Sequence, residues 1–134
     1  MEKVIVTIEA TDKNLSAFCE NLPGCVAVGK NLEELMFNMK EAVKGHLEVT
    51  LEYDEDIPDI FKRDYEFVFK FDTGSFIRYW RKTYTLSALG RITGISEKQL
   101  QTYIEGTEPR ESQKKRIIEG IRKAGKELLY VELY

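Results

Sequence analysis

The stretch Asn21-Leu22-Pro23-Gly24-Cys25-Val26-Ala27-Val28-Gly29-Lys30-Asn31-Leu32-Glu33-Glu34-Leu35 decides how the first half of the chain folds. Leu22-Pro23-Gly24 predicts a tight turn, because proline presets φ and glycine accepts a positive φ. Residues 25–28 (CVAV) are short, apolar and β-prone, so the chain returns there as a strand. Asn31 then reads as a helix N-cap, and Glu34, three residues on, can complete a capping box. Glu33 and Glu34 also suit the positive end of the helix dipole.

Upstream, residues 3–9 (KVIVTIE) read as a strand with Val4, Val6 and Ile8 on one face. Residues 14–20 (NLSAFCE) form a second, weaker strand after the turn residues Asp12-Lys13. With 25–28 these make a meander. Downstream, Leu32, Leu35, Met36, Met39, Val43 and Leu47 recur at helical spacing and carry the helix to about Glu52. Its apolar stripe is expected to cover one face of the sheet. The acidic, proline-containing residues 54–59 read as a loop. Residues 65–72 (YEFVFKFD) are a fourth strand, with Phe67, Phe69 and Phe71 on one face. The order β-β-β-α-β resembles that of the front part of an RNase H-like fold.

A two-metal nuclease of that fold needs converging carboxylates, one of them in the middle of the first strand. Here that position is Ile5-Val6-Thr7. Glu9, Glu41 and Asp72 fall at strand ends or on an exposed helix face and read as solvated charges. His46, the only histidine, sits beside the apolar stripe and reads as a half-buried packing residue. Cys19 and Cys25 flank a turn and read as small buried apolar groups. No Gly-rich phosphate loop, nucleophile elbow or Cys-x-x-Cys is present. The expectation is a protein without enzymatic activity, metal or cofactor.

Apolar residues make up 43% of the 134 and charged residues 32%, a composition that folds in water. No run approaches the ~18 apolar residues of a membrane span. The start, Met1 to Thr7, turns polar too early for a signal peptide. Two cysteines make no disulfide framework, and a reducing cytoplasm is the expected setting. Residues 1–72 hold 8 Lys/Arg against 16 Asp/Glu, a net −8; residues 73–134 hold 12 against 7, a net +5. Opposite halves point to two tasks, an acidic half for a basic partner and a basic half for an anionic polymer.

The basic half is expected to be a separate helical domain, 73–134. Thr73-Gly74-Ser75 reads as a hinge. Residues 76–83 read as a helix with Phe76, Ile77 and Trp80 inward and Arg78, Arg81 and Lys82 outward. Thr85 N-caps a short helix, 86–93, whose Gly90 is tolerated where another helix approaches closely. Gly94 takes a left-handed turn and Ile95 plugs the core. Ser96, with Gln99, caps the next helix, in which Leu100, Tyr103 and Ile104 face inward. Gly106 and Pro109 end it. A fourth helix, 111–125, turns Ile117, Ile118 and Ile121 inward and Lys114, Lys115, Arg116, Arg122 and Lys123 outward.

Two short helices joined by a glycine turn make a helix-turn-helix, whose second helix enters the DNA major groove. The candidate base readers are Glu97, Lys98, Gln99, Gln101 and Thr102, with Arg91 and Lys115 as phosphate contacts. The tail 128–134 (LLYVELY) reads as a last strand that needs a partner edge, in this chain or in a second copy.

The residues Asn21-Leu22-Pro23-Gly24-Cys25, Gly29, Asn31-Leu32-Glu33-Glu34-Leu35, Asn38 and Lys40-Glu41-Ala42 resemble the HicB antitoxins over about residues 1–72. Asn31 stands where threonine is usual and Leu35 where alanine is usual. Residues 84–121 are similar to XRE-type helix-turn-helix domains at Thr85, Leu89, Gly90, Gly94, Ile95, Ser96, Gly106, Pro109, Ile117 and Ile121. Ile104 and Lys114 depart from that pattern. The resemblance implies an α+β chain with a partial RNase H-like first domain that lacks nuclease activity. It implies neutralisation of a HicA-type, mRNA-cleaving toxin by covering its catalytic and RNA-binding surface. It also implies binding of the chain's own operator DNA as a homodimer or larger homo-oligomer. The alternative is a transcriptional regulator whose first domain binds a small ligand or another protein.

Overall fold

β1 (Glu2–Ala10) is an inner strand of a four-stranded sheet ordered β3-β2-β1-β4. The computed structural model describes all residues, Met1–Tyr134, and divides them into two units, Met1–Asp72 and Thr73–Tyr134. In the first unit, β2 (Leu15–Cys19) and β3 (Val26–Gly29) pair antiparallel in succession, which is the expected meander. β4 (Tyr65–Phe71) pairs parallel to β1. A parallel neighbour demands a crossover, and α1 (Leu32–Glu52) supplies it. The loop expected over 54–59 ends in a 3₁₀ turn, Asp59–Lys62, whose buried Phe61 meets Tyr65 edge to face at 5.2 Å.

The core follows the two periods. Val4, Val6 and Ile8 are fully buried, and register places Cys19, Ala17 and Phe71 beside them on the same face. α1 lays Leu35, Met39 and Val43 against β2 and β3. Its start is set by Asn31, whose Oδ1 accepts from the Glu34 amide at 2.8 Å. Gly24 takes φ +84° in the turn before β3. Gly29 is required by close approach: a Cβ there would lie 2.5 Å from the Leu35 amide nitrogen. Asn21 ties the turn to the sheet, its Oδ1 accepting from the Ile5 amide at 2.8 Å.

The second unit is all helical: α2 (Thr73–Trp80), α3 (Leu86–Thr93), α4 (Glu97–Ile104) and α5 (Glu111–Leu128). Ile77, Leu89, Ile95, Leu100, Tyr103, Ile104 and Ile117 form its core. Four expectations are corrected. Residues 73–75 are no hinge but the first turn of α2, with Gly74 and Ser75 buried; that burial outweighs the poor helix propensity of glycine. Arg78 points inward, because it can satisfy two oxygens there, Ile104 O at 3.1 Å and Ser75 Oγ at 3.0 Å. Arg81 and Lys82 fall in the turn after α2. The tail 128–134 forms no strand: α5 runs to Leu128, and residues 129–130 turn on i→i+3 bonds from Leu129 and Tyr130. A strand needs hydrogen bonds from a neighbouring edge, and the all-helical second unit offers none.

Candidate functional site

The α3–α4 pair is built from short-range chemistry and then locked by α5. Thr85 Oγ1 accepts from the Ala88 amide at 3.0 Å, and Ser96 Oγ from the Gln99 amide at 3.1 Å. Between the helices Gly94 adopts φ +72° and donates its N–H to Gly90 O at 2.8 Å. Thr93 Oγ1 donates to Leu89 O at 2.7 Å and accepts from the Ile95 amide at 3.2 Å, so the buried turn has its polar groups paired. Gly90 faces this turn and the start of α4: a Cβ there would lie 3.0 Å from Ile95 O and 3.9 Å from the Glu97 amide nitrogen. From α5, Arg116 Nη2 donates to Gly94 O at 2.7 Å while Nη1 donates to Gln113 Oε1 at 3.2 Å. Gly120 lets α5 touch α3, since a Cβ there would lie 2.6 Å from Ile92 O. Arg78 holds the far end of α4.

On α4 the buried side is Leu100, Tyr103 and Ile104. At 100° per residue, Lys98, Thr102 and Glu105 stand on the opposite side. Lys98 is exposed and makes no hydrogen bond or ion pair within the chain. Thr102 Oγ1 donates to Gln99 O at 2.7 Å. Gln101 Nε2 donates to Glu105 Oε1 at 3.3 Å, and Gln99 Nε2 lies 3.5 Å from Thr102 Oγ1. Glu97 leans toward Gly90. Of the seven residues singled out in the sequence, Lys98 and Thr102 share the side of α4 opposite its buried residues, with Lys98 exposed and Thr102 half-buried. Glu97, Gln99 and Gln101 flank it. Arg91 lies on α3, its Nη1 donating to Ser87 Oγ at 3.1 Å, and Lys115 lies on α5, 3.9 Å from Glu119.

Sequence reasoning missed Glu105, which adds a negative charge to that face, and the bracing by Arg116 and Gly120. It also missed an open groove of about 610 Å³ lined by Gln99, Tyr103, Pro109, Arg110, Gln113 and Arg116. The helical spacing from Lys98 and Thr102 could have found Glu105; no local signal marks the bracing or the groove, because these depend on α5 packing against α3, α4 and the turn between them.

The polar and sulfur groups of the first unit are placed differently. Cys19 N donates to Cys25 O at 3.0 Å, and both side chains are buried and unoxidised. Burial pushes both thiols above their usual pKa, which disfavours the reactive thiolate. His46 is half-buried on α1. Glu9, Glu41 and Asp72 are exposed, and no three His, Cys, Asp or Glu side chains gather as a metal site. No helix is long and apolar enough to cross a membrane.

A protein of Haemophilus phage HP1 (strain HP1c1), described as an uncharacterized 14.9 kDa protein in the rep-hol intergenic region, is 38% identical to this chain over 53 residues. The match spans 40% of this chain and 40% of the phage protein. No solved structure matches the chain. Residues 4–66, which hold the meander, α1 and the start of β4, match the family model described as HicB_like antitoxin of bacterial toxin-antitoxin system, so the first unit is similar to that antitoxin family.

Proposed function

We propose that the chain is an antitoxin with two tasks. The first unit binds and neutralises a small, basic, mRNA-cleaving toxin of HicA type. The second unit is a helix-turn-helix domain that binds the operator of the chain's own operon as a homodimer or larger oligomer, and so represses it. The first unit has a partial RNase H-like fold used for binding, not catalysis, and the chain acts in the cytoplasm.

The observation that carries this reading is the HicB-like domain of residues 4–66 joined in one chain to the capped α3–α4 pair. The charges agree with it. A unit of −8 steers toward a basic protein, and a unit of +5 toward phosphate. One α3–α4 pair reads a half-site, so a two-fold dimer reads two half-sites about one DNA turn apart.

Co-expression of the chain with the product of the adjacent gene tests the reading. The expected result is co-purification of a small basic protein, loss of its toxicity, and retention of the promoter fragment by the complex. An adjacent product that is neither toxic nor bound would overturn it.

A further inference from the structure

α1 lies on one face of the sheet, and the other face is open over β2 and β3. The register fixes what stands there: Ile5 beside Val68, Thr7 beside Phe18, Phe18 beside Val26 and Ser16 beside Val28. Phe18, Val26 and Val28 keep 44%, 66% and 58% of their surface exposed. β3 is also an outer strand of the sheet. Cys19 N donates to Cys25 O, so residues 25, 27 and 29 bond toward β2, while Val26 and Val28 direct their backbone groups outward. Asn38 Nδ2 donates to the Val28 carbonyl at 2.8 Å. The Val26 N–H and C=O and the Val28 N–H are left along an edge without a neighbouring strand. An open edge flanked by apolar side chains is a template for an added strand.

We propose that this edge and the Phe18–Val26–Val28 surface beside it are where the first unit takes its basic protein partner, which lays an extended segment along β3. The inference rests on the antitoxin reading above. Charge selects the occupant. Just past β2, Glu20 follows Phe18 in the alternation, its Oε1 accepting from Thr7 Oγ1 at 2.7 Å, and Glu9 stands beside Ser16 on β1, so carboxylates border the apolar surface. Of the lysines, Lys3 stands beside Glu66 and Lys70 beside Thr7, on the β1–β4 side of the face, and the exposed Lys30 follows Val28 just past the end of β3. A second copy set against this surface would bring Glu9 and Glu20 toward their own equivalents, each on a unit of −8. A basic segment meets them with opposite sign.

The test measures binding of the purified adjacent-gene protein to the full chain and to two variants, V26K/V28K and F37K. Val26 and Val28 are exposed, so V26K/V28K should fold; its melting temperature against the parent checks this. V26K/V28K should bind at least 100-fold more weakly, and F37K, altered on the exposed side of α1, should bind as the parent does. Amide exchange supplies a second readout that needs no variant: the Val26 and Val28 amides should slow in the complex. Parental affinity in V26K/V28K, or unchanged exchange at both amides, overturns the proposal and leaves the antitoxin reading intact. Slowing of those amides in the free chain as its concentration rises also overturns it, because a second copy then covers the edge. No binding by the parent chain defeats the antitoxin reading itself, and the proposal with it.

Discussion

Gly120 and Gly125 both lie on α5, yet their surroundings differ. A Cβ at Gly120 would meet the Ile92 carbonyl at 2.6 Å, whereas nothing lies within 4 Å of one at Gly125. Gly120→Ala should therefore cost about 1–3 kcal/mol through overpacking against backbone. Gly125→Ala should be neutral or stabilise by up to about 1 kcal/mol, because the helix interior favours alanine. Urea denaturation of both variants distinguishes them; equal stabilities would mean that α5 does not press on α3. At the proposed reading face, Lys98→Ala and Thr102→Ala should each cost ~1–3 kcal/mol on the operator and much less on scrambled DNA. Arg91→Ala and Lys115→Ala should weaken both duplexes alike and flatten the salt dependence. Titrations on both duplexes at two salt concentrations check this. Equal losses on both duplexes for Lys98→Ala and Thr102→Ala would remove them as readers.

The elements differ in how much of their stability is local. The start of α1 rests on Asn31, that of α3 on Thr85 and that of α4 on Ser96, each side chain accepting from the amide three residues on. These caps were legible because the donor and acceptor are neighbours in sequence. The tail forms no strand within this chain, because strand formation depends on a distant edge. Leu129, Tyr130, Val131 and Leu133 remain exposed, an apolar segment at the end of a charged helix. If the oligomer proposed above uses this segment, deletion of residues 129–134 should lower the mass in solution, as sedimentation would measure. An unchanged mass would take the tail out of the interface.

Across the whole molecule, the change in net charge falls where the two units divide. Each unit has its own core: Val4, Val6, Ile8, Leu35 and Met39 in the first, Ile77, Leu89, Leu100 and Ile117 in the second. Residues 1–72 alone should therefore fold and protect cells from the toxin. Residues 73–134 should bind DNA without protecting. A folded, soluble 1–72 fragment that leaves the toxin active would show that neutralisation needs the second unit. The affinity of the 73–134 fragment for DNA should fall steeply with salt, because that binding rests on phosphate contacts.

The amino-acid sequence by itself determined the turn at Leu22-Pro23-Gly24, the faces of β1 and α1, the three caps and the left-handed turn at Gly94. Each is an interaction between residues a few positions apart, so local pattern suffices. Only the tertiary structure decided that β4 runs parallel beside β1, which places β3 at an open edge. It alone assigned Arg78 to the end of α4, Arg116 to the turn at Gly94, and Gly29 and Gly120 to close backbone approach. These contacts join residues far apart in the chain, and their geometry exists only once the elements have packed.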